Sequence, residues 1–81
     1  MDYIKRVREL REDNDFTQSK IAHILNVGQR TYADYESEKI RIPLASIIKL
    51  AEFYDVDMNY ICNLTDDKKP FPRRRKNKMQ K

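Results

Sequence analysis

With 81 residues, 40% of them hydrophobic, the chain has material for one small domain. A domain of this size buries only about 60% of the surface its unfolded form exposes, so an enzyme cleft is not expected. One cysteine, Cys62, excludes an intrachain disulfide, and together with the lone histidine, His23, it leaves no metal quartet, so no cofactor is expected.

The net charge of +4 is unevenly spread. Residues 1–65 hold 9 Lys/Arg against 11 Asp/Glu, whereas residues 66–81 hold 8 against 2. The basic character belongs to the last stretch, and pI alone is therefore no argument for nucleic-acid binding. No apolar run approaches a membrane span, and the opening MDYIKRVREL is amphipathic with acids in it, unlike a signal or transit peptide. A cytoplasmic protein without a membrane contact is expected.

Taken in order, residues 3 to about 13 read as a first helix, with Ile4, Val7 and Leu10 inward at three- and four-residue steps. Asn14-Asp15 ends it. The run FTQSKIAHILNVGQRTYADYES, residues 16–37, then reads as a helix-turn-helix. Ile21, Ala22 and Leu25 share one face of its first helix, and Tyr32 and Tyr35 share one face of its second, after a break at Asn26-Val27-Gly28. Thr17 is an N-cap, with Phe16 and Ile21 in the positions of a hydrophobic staple; Gly28 is the next N-cap, with Val27 and Tyr32 in the same two positions. Ala22 is small where two helices cross steeply, which lets their axes approach.

A loop through Lys39 and Arg41 leads to Pro43, which opens a fourth helix whose inner face is read as Leu44, Ile47, Leu50, Ala51 and Tyr54. Asp57 caps a short fifth helix to about Cys62, with Val56 and Ile61 as a third staple. Cys62 is read as a small core residue. The expected architecture is all-α: a five-helix domain over residues 1–65, followed by a disordered basic tail over residues 66–81, DDKKPFPRRRKNKMQK, which lacks apolar periodicity.

These residues resemble the phage-repressor and Cro-like helix-turn-helix regulators, also called the xenobiotic-response-element type. The matching positions are Leu10-Arg11, Thr17-Gln18, Ile21-Ala22, Leu25, Val27, Tyr32, Tyr35-Glu36, Pro43, Leu50-Ala51, Val56 and Tyr60-Ile61. They cover nearly all of residues 3–65. The departures are Asn26 where the family has its turn glycine and Gly28 where it often has Ser or Thr; Asn tolerates the left-handed conformation better than most residues.

The resemblance implies sequence-specific binding of double-stranded DNA by a transcriptional regulator, a repressor acting by occupancy as a homodimer, with residues 29–37 as recognition helix in the major groove. It aligns Gln29, Arg30 and Asp34 with the main base-reading positions, with Ala33 beside them. Arg30 suits guanine O6 and N7, Gln29 adenine, Asp34 cytosine N4, and Ala33 a thymine methyl. Arg30 and Asp34 equally suit an i,i+4 ion pair on a solvated face. Phosphate contacts are expected from Thr17 and Gln18 at a helix N-terminus, and from Gly28, Ser37, Lys39 and Arg41 around the recognition helix. The resemblance also pairs Arg11 with Glu36 as a structural tie.

A helical adaptor that binds a protein instead is the alternative, kept open by the acidic balance of residues 1–65. Phe53, Met58 and Ile24 are apolar residues without an evident place in the core, which points to the end of the fourth and fifth helices as a dimer surface. The basic tail suits DNA contact, another polyanion, or solubility alone.

Overall fold

A computed structural model describes residues 2–72. Five helices account for its regular structure: α1 Asp2–Asp13, α2 Gln18–Leu25, α3 Gln29–Glu36, α4 Leu44–Tyr54 and α5 Met58–Ile61. Helix α2 packs on α3 and α4, α1 on α3 and α5, and α4 on α5. The inward stripes meet in one core. It contains Ile4, Val7 and Leu10 of α1, Ile21, Ala22 and Leu25 of α2, Tyr32 and Tyr35 of α3, and Ile47, Leu50 and Ala51 of α4, closed by Ile42, Val56 and Ile61. Tyr32, Ile21, Leu50 and Ile61 are fully buried, and each such side chain stabilises the fold by roughly 1.5–3 kcal/mol through its removal from water. None of the described helices is long and apolar enough to cross a membrane.

The caps are those the sequence indicates. The Thr17 hydroxyl oxygen accepts the Lys20 N–H at 3.0 Å, and the Asp57 carboxylate accepts the Tyr60 N–H at 2.9 Å. Gly28 caps α3 with ordinary extended angles, φ −72° and ψ 156°, and space is open around the position where a Cβ would stand. Its lack of a side chain is therefore not what the turn demands.

All five helices stop in the same way. Asp15, Asn26, Glu38, Asp55 and Asn63 each adopt a left-handed conformation, φ 56° to 64°. At each stop the next residue's N–H reaches back five residues and the left-handed residue's N–H reaches back three, as in Val27 to Ala22 and Asn26 to His23, both at 3.0 Å. These are Schellman closures, which satisfy carbonyls that would otherwise be orphaned at a helix end. Four of the five residues are Asp or Asn, the types after glycine that bear this conformation best. Asn26 is thus the working substitute for a turn glycine.

Three expectations need adjustment. Leu44 is 66% exposed: as the first residue of α4 it projects beyond the core edge, and the inner face begins at Ile47. Cys62 is half-buried, and burial pushes its thiol pKa up. Over residues 66–72 the chain lies on the domain, where the sequence reading has a disordered tail beginning at Asp66. Asp66 meets Arg6 at 2.8 Å, the Asp57 N–H donates to the Lys69 carbonyl at 2.8 Å, and the Phe71 N–H donates to the Asp55 carboxylate at 3.2 Å. The rest of that tail, from Arg73 on, lies outside the described residues.

Candidate nucleic-acid interface

Helix α3 has one face fixed and one face open. Tyr32 and Tyr35 are buried with their rings in edge contact at 6.3 Å, while Gln29 and Arg30 are exposed and Ala33 and Asp34 partly so. The four residues aligned with base-reading positions therefore share the open side. Arg30 and Asp34 lie 3.9 Å apart as an i,i+4 pair; the Arg30 side chain is 86% exposed, so screening leaves that pair little weight. Arg30 is free to leave Asp34 for a better acceptor.

What holds α3 is the Glu36 carboxylate, buried near the end of the helix with only 2% of its side chain exposed. One oxygen accepts the Arg11 Nε–H at 2.7 Å and the Tyr32 hydroxyl at 2.5 Å; the other accepts the Arg11 Nη2–H and the Gln18 Nε2–H, each at 3.0 Å. Burial alone would raise the Glu36 pKa, but the hydrogen bonds from Arg11, Tyr32 and Gln18 outweigh it and hold the carboxyl below its ordinary value. The same carboxylate raises the Arg11 pKa, and burial followed by this hydrogen bond raises that of Tyr32. Arg11 also donates to the Phe16 carbonyl at 3.0 Å. The expected pair is thus one edge of a four-residue junction joining α1, α2 and α3.

Gln18 has a double position in this junction. One hydrogen of its amide nitrogen is spent on Glu36, which aims the side chain and leaves the second hydrogen available to an outside acceptor. Next to it, Thr17 is exposed as the cap, and neither α2 nor α3 carries an acid in its first turn. Two positive helix ends are thereby left open to an anion. The Gln18 contact with Glu36 sets the start of α2 beside the end of α3, where exposed Ser37 and Lys39 follow. Gly28 stands at the other end of the helix, roughly 12 Å away at 1.5 Å per residue. Lys39 and Arg41 are both exposed and border a groove of about 200 Å³ shared with Tyr3 and Ile40.

Sequence reasoning missed several supports. Arg8 donates to the Glu36 carbonyl at 3.2 Å and covers the end of α3. Arg6, which the sequence reading did not single out, is buried: its guanidinium donates to the Tyr60 and Thr65 carbonyls and to Asn63 Oδ1, and lies 4.0 Å from the centre of the Tyr60 ring. The only signal was its place beside Ile4 and Val7 on α1. Of the apolar residues singled out, Phe53 is 38% exposed, while Ile24 and Met58 are half-buried; Ile40, Leu44, Ile48 and Leu64 are the other large exposed apolar side chains among the described residues.

Comparison with known proteins agrees with this geometry. Residues 7–61 match the family described as helix-turn-helix. The chain is 37% identical over 68 residues to an uncharacterized HTH-type transcriptional regulator of Bacillus subtilis (strain 168), YobD, covering 84% of this chain and 61% of that protein. It is 35% identical over 54 residues to the cryptic phage CTXphi transcriptional repressor RstR of Vibrio cholerae, and 30% identical over 57 residues to the HTH-type transcriptional regulator ImmR of Bacillus subtilis (strain 168). Those two alignments cover 67% and 70% of this chain and 49% and 45% of the relatives, so the chain spans about half to three fifths of their length. No solved structure matches at a comparable level of significance. The matched region contains the buried Arg11–Glu36 tie, the capped α2 and the open face of α3, and the chain belongs to the helix-turn-helix family of the phage-repressor and Cro-like type.

Proposed function

We propose that this chain is a cytoplasmic transcriptional repressor that binds a specific double-stranded DNA sequence as a homodimer and acts by occupying it. The observation that carries the reading is the open face of α3, with Gln29, Arg30 and Asp34 presented by a helix whose other face is locked by Tyr32, Tyr35 and Glu36. A reader of base edges needs that combination: polar groups free to bond, on a backbone that does not move when they do. In this reading Gln29, Arg30, Ala33 and Asp34 face bases. Thr17, Gln18, Gly28, Ser37, Lys39 and Arg41 contact phosphates and set the register. Likeness to proteins named as transcriptional regulators and a phage repressor supports the class. No observation favours the adaptor reading.

Selection of bound sequences from random duplex DNA tests this. The expected product is a motif with dyad symmetry, its half-sites about one helical turn apart. Enrichment without any shared motif would refute sequence-specific reading, and a motif lacking dyad symmetry would refute the homodimer.

A further inference from the structure

Five large apolar side chains stand exposed among the described residues, and three of them lie close together in the chain: Ile40 at 45%, Leu44 at 66% and Ile48 at 38%. Of the other two, Phe53 packs its ring on Phe16 and Tyr54 at 5.7 and 5.1 Å, and Leu64 follows α5. Leu44 and Ile48 are one helical step apart on α4 and form a ridge of its surface, which Glu52 continues one turn further on. Arg41 stands at the opposite end, where it lines the same hollow as Leu44. The ridge therefore reads cation, apolar, apolar, anion. All four side chains are exposed, and among the described residues no side-chain hydrogen bond or ion pair engages Arg41 or Glu52. The hollows flanking the ridge contain none of Gln29, Arg30, Ala33 and Asp34, so covering it leaves the open face of α3 clear.

This order is complementary to its own reverse. When two copies of a helix pack antiparallel about a two-fold axis, each residue meets the one equally far on the other side of that axis. An axis between Leu44 and Ile48 sets Leu44 on Ile48 of the second copy and brings Glu52 towards Arg41 of the second copy, with both contacts repeated by symmetry. Ala45, small and exposed, lies next to that axis, which lets the helices approach to about 8–10 Å. Duplex DNA suits the ridge less well, since Glu52 repels phosphate and the apolar side chains find no apolar surface on a phosphate backbone.

We infer that the ridge of Arg41, Leu44, Ile48 and Glu52 is the surface on which a second copy of this chain docks, α4 antiparallel to α4. The inference rests on the homodimer reading above. It moves the contact from the end of α4 and α5 to the first turns of α4, because Phe53 is engaged by Phe16 and Met58 packs against the core. Arg41 has five N–H donors, enough to serve a carboxylate of the second copy and a phosphate together. The interface is small, so association of the free protein is weak and reversible.

Sedimentation equilibrium of the full chain over roughly 10 μM to 1 mM, the range suited to a small interface, tests the surface. The wild type is expected to pass from monomer to dimer across it. Arg41→Glu and Glu52→Arg, by setting like charges opposite each other, are each expected to weaken self-association about tenfold or more. An equal mixture of these two variants is expected to restore it, because the mixed dimer has opposite charges at both ends. Leu44→Ser combined with Ile48→Ser alters exposed side chains alone and is expected to be monomeric with a wild-type urea midpoint. A wild type that stays monomeric throughout, single charge variants that associate like wild type, or a mixture no better than its parts would overturn the proposal. On a duplex with both selected half-sites, wild type is expected to bind cooperatively and the serine variant independently, while the two bind a single half-site alike. Cooperativity retained by the serine variant would also overturn the surface. Absence of binding to either duplex, with self-association and its charge dependence intact, would remove the DNA-binding reading and leave the surface standing.

Discussion

Uncoupling Arg11 from Glu36 is the sharpest physical test of how α3 is held. Glu36→Gln keeps size and an acceptor oxygen for the Tyr32 hydroxyl, but leaves the Arg11 guanidinium, 14% exposed, facing a neutral amide. Arg11→Met keeps most of the packing and leaves the carboxylate with only Tyr32, Gln18 and a distant Arg8 at 3.7 Å. Breaking a buried pair from one side costs about 3–5 kcal/mol, and the residual exposure of Arg11 places each single change nearer 2–3 kcal/mol. A domain of this length has roughly 4–10 kcal/mol in all, so either change is a large fraction of it. The double variant is expected to be less destabilised than the sum, with a coupling of about 1–3 kcal/mol by urea unfolding. A coupling within about 0.3 kcal/mol of zero would refute the account. Acid supplies an independent reading. The folded Glu36 carboxyl lies below its ordinary value of 4.5, so its contribution is present above the unfolded pKa and is lost as pH falls through the folded one. The stability gap between wild type and Glu36→Gln is therefore expected to narrow below about pH 4.5.

Other changes address single features. Arg30→Ala is expected to weaken binding to the selected sequence by about 1–3 kcal/mol and to relax preference at one base pair per half-site, because its side chain is held by nothing strong in the free protein; selection repeated with the variant would show an unchanged motif if Arg30 does not read. The Tyr54 hydroxyl is buried without a hydrogen-bond partner, and burial pushes its pKa up to about 12. Tyr54→Phe is accordingly expected to leave urea stability within about 0.5 kcal/mol of wild type or raise it, and a drop above about 1 kcal/mol would show that the hydroxyl is bonded. Asn26→Ala is expected to cost roughly 1–2 kcal/mol and Asn26→Gly less than about 0.5, since only the left-handed angle is at issue; equal effects measured by thermal melting would contradict that.

What was legible in the sequence is what nearby residues determine together. Thr17, Asp57 and the staple residues announce helix starts within about five positions of one another, and the stripes through Val7, Ile21 and Leu50 repeat at helical spacing. Arg11 and Glu36 were reached through the family resemblance, not through spacing. What was not legible joins distant parts of the chain. Arg6 bonds to residues 54 to 60 positions away, and nothing in IKRVRE distinguishes that arginine from its neighbours. The Gln18 bond to Glu36 adds a packing duty to a residue read only as a phosphate contact. Leu44 shows the converse error: correct periodicity at the first residue of a helix, where no second layer stands opposite. The seating of Phe71 escaped notice because flanking prolines and charges mask a single aromatic anchor.

The left-handed stops of the five helices have a consequence for the unfolded chain. A protein that closed each helix with glycine would carry five hinges into its denatured ensemble, whereas this one has a single glycine in 81 residues, and that one sits at an ordinary φ. Each side chain at such a stop narrows the range of unfolded conformations, an effect of about 0.4–1 kcal/mol per position that offsets much of the strain of the left-handed angle in the folded state. The domain is thereby stabilised at its turns from the denatured side, by freedom its chain never had.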